Sequence, residues 1–165
     1  MNQTKSRILS IDPGTYKMGY ALLDGEELLY HGVRVLKNRQ SPHENLQEGR
    51  LIVLNLIKLL EPTVLAVEKT FINKNRQLAL LNVLGDEIRS IGRRKGLRVV
   101  SYAPTTVKKF ITGHGWATKD QVAQVIVRQY PDLEAYLIKD RQWKQLHHAN
   151  MFDAVALGLV ARHHL

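Results

Sequence analysis

Two short apolar runs in this chain each end on a lone carboxylate. R7-I-L-S-I-D12 closes on Asp12 before a P13-G14-T15 turn, and T63-V-L-A-V-E68 closes on Glu68. Runs of this length and make-up read as strands. A third acid, Asp153, interrupts the apolar helix pattern M151-F-D-A-V-A-L-G-L159. Strands ordinarily end in neutral turn residues, and helices keep charge off the face they bury. Acids in these three places ask for a fold that gathers two strand ends and a buried helix around one polar site.

The remaining pattern is consistent with such a fold. Strands are predicted over 7–12, 18–24 and 28–36, with D24-G25 as a hairpin signal between the last two. A helix over 43–60 has Leu46, Leu56, Ile57 and Leu60 on its buried side and stops at E61-P62. Strand 63–68 precedes a long amphipathic helix over 74–94, where Leu78, Leu81, Leu84, Ile88 and Ile91 recur at three and four positions. Strand 97–101 follows Gly96, and Pro104 opens a short helix to Ile111. G113-H-G-W-A117 is a loop. Thr118, with Gln121 three positions on, reads as a capping box that starts a helix to Tyr130. Residues 131–145 carry no assignable pattern, and a last helix covers 147–162. A hairpin meander followed by strand–helix crossovers predicts an α/β architecture, a mixed five-stranded sheet flanked by helices, in a single domain over 1–165. Ligands in such folds collect beyond the carboxyl ends of parallel strands, where Asp12 and Glu68 lie.

Charge narrows the substrate. Lys and Arg number 24 against 15 Asp and Glu, a net charge of +9. The basic residues fall in clusters along the chain (Lys37 and Arg39; Arg93, Arg94, Lys95 and Arg98; Lys108, Lys109 and Lys119; Lys139, Arg141 and Lys144), which suits a broad phosphate surface better than a flexible tail. The chain has no cysteine, so disulfides, thiolate zinc sites and cysteine nucleophiles are excluded. The N-terminus lacks the apolar segment of a signal peptide, and no run of about 18 apolar residues offers a membrane span. A cytoplasmic protein with no membrane partner is the expectation.

Hard divalent cations such as Mg²⁺ take carboxylate and water oxygens. Two of them about 4 Å apart activate water on one side of a phosphate and stabilise the leaving oxygen on the other. Asp12, Glu68 and Asp153 supply the anionic ligands for that arrangement. Asn150, three residues before Asp153, shares its helix face. Each acid also has an ordinary reading: Asp12 as an Asx turn residue, Glu68 as a partner of Lys69, and Asp153 as a first-turn cap.

The segments I11-D-P-G-T15, V67-E-K-T-F71, Y102-A-P-T-T-V-K-K109, G113-H-G-W-A-T-K119 and D153-A-V-A-L-G-L159 resemble the RuvC family of Holliday junction resolvases. The likeness runs in order along nearly the whole chain, and a bacteriophage-encoded member is compatible with its short length. It implies an RNase H-like fold, a homodimer, and symmetric nicking of four-way branched DNA with two Mg²⁺ ions per site, Mn²⁺ substituting. By the same resemblance Asp12, Glu68 and Asp153 are catalytic metal ligands. Position 150 is where the family places an aspartate or a histidine. Asn150 departs from that pattern, leaving Asn150, His147 or His148 to supply the fourth function.

The resemblance also assigns Lys108 and Lys119 to DNA phosphates and Phe71 to an aromatic contact near the junction centre. Lys74 and Arg76 are expected to reach backbone phosphates at the start of the long helix. Trp116 is read as a packing anchor, with a DNA contact as the alternative. An apolar stripe of Leu80, Leu84 and Ile91 is read as the dimer surface, although periodicity alone leaves a monomer open. Two competing functions remain at this stage, a nuclease for structured RNA and a junction-binding protein with weak catalysis. An actin-like phosphotransferase also begins D-x-G-T, but 165 residues are too few for two nucleotide-clamping lobes.

Overall fold

The computed structural model describes residues 6–37, 41–70, 76–139, 146 and 148–165, with 76–78 as backbone alone. The elements run β1 (Arg7–Asp12), β2 (Lys17–Asp24), β3 (Glu27–Val35), α1 (Pro42–Leu60), β4 (Val64–Glu68), α2 (Arg76–Arg94), β5 (Arg98–Tyr102), α3 (Pro104–Thr112), α4 (Lys119–Gln129) and α5 (Ala149–His164). A 3₁₀ turn, Pro131–Tyr136, occupies part of the stretch that the sequence left unassigned.

The strands form one mixed sheet in the order β3-β2-β1-β4-β5. The β1–β2–β3 meander is antiparallel, while β1, β4 and β5 run parallel. This is the expected architecture, and it explains the apolar runs. β1 and β4 are central and covered on both faces, so nearly every residue is buried, as parallel strands under helices require.

Each face of the sheet has its own core. Leu9, Ile11, Leu65 and Val67 point toward α1 and α2, where they meet Val53, Leu56, Leu84, Ile88 and Ile91. Ile8, Val64 and Ala66 point the other way and pack with α4 and the apolar α5 through Val122, Ile126, Phe152, Val155 and Leu159. Buried on nearly every side, α5 explains its lack of a polar stripe.

The helix boundaries follow their signals. Ser41 caps α1 by accepting the Glu44 N–H at 3.1 Å, and Glu61 ends it in the left-handed region at φ 46°. Thr118 and Gln121 form the reciprocal capping box of α4, at 3.2 and 2.9 Å. Two readings are corrected. Of the stripe assigned to a dimer surface, Leu84 and Ile91 are taken up by the monomer's core, with Leu84 over Gly49 of α1, while Leu80 is half-buried. A helix pressed against both a sheet and a second helix needs a wider apolar arc than either contact alone. Trp116 does not pack into the core, and its exposure is 83%. No described helix is long and apolar enough to cross a membrane.

Candidate active site

Strand parity decides where the acids point. Side chains alternate across a sheet, so Asp12 shares the α5 face with Ile8 and Ser10, and Glu68 shares it with Val64 and Ala66. The parallel register pairs Ser10 with Ala66 and Ile11 with Val67. Asp12 and Glu68 are the next step along, side by side at the carboxyl edge. Asp153 reaches the same edge from the second turn of α5.

Two contacts hold α5 at this height. Ser10, fully buried, donates from Oγ to the Ala154 carbonyl at 2.6 Å. Gly19 of β2 lies directly under the start of α5, and a Cβ there would collide with the Asn150 carbonyl. A third contact sets the loop after Asp12, where the buried Asn45 of α1 donates from Nδ2 to the Thr15 carbonyl at 2.7 Å. Neither Ser10, Gly19 nor Asn45 carried a sequence signal, because each depends on a partner distant along the chain.

The result is a cleft of about 450 Å³ whose lining includes Asp12, Glu68, Lys108, Lys119, Asn150 and Asp153. Six residues singled out by sequence therefore share one site. Asn150 donates from Nδ2 to Asp12 Oδ2 at 3.0 Å. The Lys119 ammonium pairs with Asp153 Oδ2 at 3.0 Å. Glu68 is influenced by Lys119 and Lys108 rather than by Lys69. His148 stands at the N-cap of α5 and meets Tyr136 edge-on at 5.1 Å, away from the cleft lining. Phe71, Lys74 and His147 lie outside the described residues, and Arg76 is described only as the first backbone position of α2. Pro13, Gly14, Tyr16 and Lys17 complete the near wall.

The carboxylates repel one another. Burial pushes the Asp12 carboxyl well above its usual range, and the negative charges of Asp153 and Glu68 push it further, against Lys119 and the Asn150 hydrogen bond. Burial and the Asp153 charge raise Glu68 to about 7, opposed by Lys119 and Lys108. Burial disfavours the Lys119 charge, but Asp153, Asp12 and Glu68 outweigh that cost and hold the ammonium above its ordinary value. Crowded buried oxygens of one sign are a donor set that a hard cation relieves. Among the described residues no three acidic or histidine side chains converge into a ready-made cage. These carboxylates suit a divalent cation whose shell is completed by water and substrate oxygens.

Comparison with known proteins identifies the family. The family model described as crossover junction endodeoxyribonuclease RuvC matches residues 8–160. The chain belongs to the RuvC family. The RuvC crossover junction endodeoxyribonuclease of Neorickettsia sennetsu is 31% identical over 157 residues, covering 91% of this chain and 89% of that relative. The RuvC of Synechococcus sp. strain WH7803 is 32% identical over 128 residues, covering 74% and 82%. Among solved structures, T. thermophilus RuvC in complex with a Holliday junction substrate superposes with a TM-score of 0.73 at 22% identity, covering 96% of both chains. The yeast mitochondrial Holliday junction resolvase Ydc2 gives 0.65 at 14% identity, covering 93% of this chain and 78% of that one. These superpositions establish the RNase H-like fold for this RuvC family member.

Proposed function

We propose that the protein is a structure-selective endonuclease that nicks four-way DNA junctions by divalent-metal-assisted phosphodiester hydrolysis. The observation that carries this reading is the meeting of Asp12, Glu68 and Asp153 with Lys108 and Lys119 in one open cleft. RuvC family membership supports the substrate class, as does the +9 charge.

Asp12 and Asp153 would hold one ion, and Asp12 and Glu68 a second, Mg²⁺ or Mn²⁺. Bound there, such ions supply water activation on one side of the phosphate and charge stabilisation at the departing 3′ oxygen on the other. Lys108 and Lys119 hold the phosphate, Lys119 exchanging its Asp153 contact for a substrate oxygen. Asn150 orients Asp12 through its amide hydrogen bond and contributes no charge where the family pattern has an ionisable residue. A two-fold dimer would present two such clefts to opposite strands of a junction, giving paired nicks with 5′-phosphate and 3′-hydroxyl ends. Basic side chains position the arms, so the protein selects shape before sequence.

The test is a synthetic immobile junction incubated with protein and Mg²⁺ or Mn²⁺, beside linear duplex and folded RNA. Paired junction nicks are expected, and Asp12→Asn should abolish them while binding survives. Equal cutting by that variant would overturn the site. The Asn150–Asp12 hydrogen bond also favours a second reading, a junction binder with slow chemistry. Asn150→Asp separates the two: restored charge should preserve or raise Mg²⁺-supported cutting, and a large loss would assign the amide a specific role.

A further inference from the structure

We infer that the exposed indole of Trp116, backed by the His114 ring, is a stacking platform for an unpaired nucleobase of the strand that enters the cleft. This rests on the junction-nuclease reading above and adds to it a base contact on the α3–α4 loop.

Scattered apolar side chains on a surface need no explanation. Trp116 differs from that background in three ways. It is 83% exposed, well above Tyr16, Tyr30 or Phe110, the other exposed large aromatics among the described residues. One side of its ring meets that of His114, the centroids 5.1 Å apart and the planes tilted by 34°. In sequence it falls between Lys108 and Lys119, which line the cleft, on the loop that joins α3 to α4 beside the cleft lining rather than within it.

That loop is fixed at both ends. Gly113 leaves α3 at φ 91°, a conformation costly for other residues, and donates to the Lys109 carbonyl at 2.9 Å. Thr112 Oγ1 lies 2.8 Å from the Lys108 carbonyl and 3.1 Å from that of His114. Ala117 is anchored in the core, and the Thr118 capping box starts α4 immediately after it. The His114 Nδ1 is buried with no hydrogen-bond partner among the described residues, and its ring meets the indole. A platform held in place this way loses little freedom when a ligand arrives.

Position names the ligand. Trp116 and Lys119 are three positions apart, which keeps their Cα atoms within about 11 Å. That is roughly three base steps along a strand at 3.4 Å each. With Lys108 and Lys119 holding the scissile phosphate, the indole meets a base a few nucleotides away. A fully paired duplex has no free base face to offer. A junction opened at its crossover does, and stacking on an aromatic is tolerant of base identity.

The test measures binding of fluorescein-labelled junction and linear duplex by anisotropy in EDTA, where the DNA stays intact. Trp116→Ala should weaken junction binding by about 5- to 150-fold and leave duplex binding unchanged. Trp116→Phe should retain most of the affinity, and Trp116→Leu, apolar but without a π face, should not. A junction carrying 2-aminopurine at successive positions beside the crossover should fluoresce more brightly with Trp116→Ala than with wild type at one position. Wild-type affinity in the Ala variant, equal losses on junction and duplex, or full rescue by Leu would each overturn the platform. The two readings fail separately. A wild type that prefers junctions while the Ala variant is unaffected removes only the platform. A wild type with no junction preference, whose Trp116→Ala variant still loses affinity for single-stranded DNA, keeps the platform and removes the junction reading.

Discussion

The two faces of β1 show how one strand serves two ends. Leu9 and Ile11 enter an apolar core with α1 and α2, where shape and volume matter and charge is absent. Ser10 and Asp12 face α5, where a buried hydroxyl and a buried carboxylate are held by partners 144 and 138 positions away. Neighbouring residues therefore answer to different physics. Side chains on the first face stabilise the fold by leaving water. Asp12, on the second face, is crowded by like charge and works against folding until a cation offsets it.

Exchanging the two residues at the end of β1 breaks this comparison most directly. Asp12→Asn should lower cutting on the order of 10³-fold or more while leaving the metal-free protein as stable as before or more so. Ile11→Ala, one residue earlier, should cost about 2–5 kcal/mol of stability through its cavity and leave the cutting rate per folded molecule nearly unchanged. Urea titration and a single-turnover assay on both variants give the crossed outcome. If both variants lose the same property, the division between the faces is wrong.

Glu68 tests the repulsion by pH. The folded protein holds its proton up to about 7, against an ordinary 4.5, so the folded state binds that proton more tightly than the unfolded chain. The Glu68 contribution to the stability of the metal-free protein should therefore fall as pH rises from about 4.5 through about 7. The full effect is on the order of 3 kcal/mol. Glu68→Gln should lessen the fall, leaving the part that the raised Asp12 carboxyl contributes, and be the more stable form at pH 8 in EDTA, and Mg²⁺ should restore the wild type selectively. A wild-type curve that rises through this window would contradict the crowding.

The difference between the faces also explains what could be read from the sequence. Strand and helix positions were legible because they depend on local pattern: the apolar runs of β1 and β4, the Thr118 capping box, the D24-G25 turn. Asp12, Glu68 and Asp153 stood out because each breaks such a pattern. Their alignment on one face needed the β1–β4 pairing, which no local signal carries. Ser10, Gly19 and Asn45 gave no sign, since a buried serine or a strand glycine acquires its role only from what packs on it. Two misreadings have the same origin. Leu84 and Ile91 are an excess stripe only until α1 is placed over α2, and Trp116 reads as an anchor only until its loop is seen to leave it in solvent.

Ser10 allows the finest test, because its change is small and lies between the two regimes. Ser10→Ala removes the 2.6 Å donor to the Ala154 carbonyl and opens little space. The stability loss should be about 0.5–1.5 kcal/mol, similar to that of an Ile11→Val truncation on the opposite face. Thermal melting would then not distinguish the two variants. Metal titration should. The lost hydrogen bond frees the turn of α5 that carries Asp153, so Ser10→Ala should need more Mg²⁺ for half-maximal junction cutting, whereas Ile11→Val should need the wild-type amount. Equal Mg²⁺ requirements would mean that packing around Gly19 alone sets the height of α5, and that the buried hydroxyl contributes stability without positioning the site.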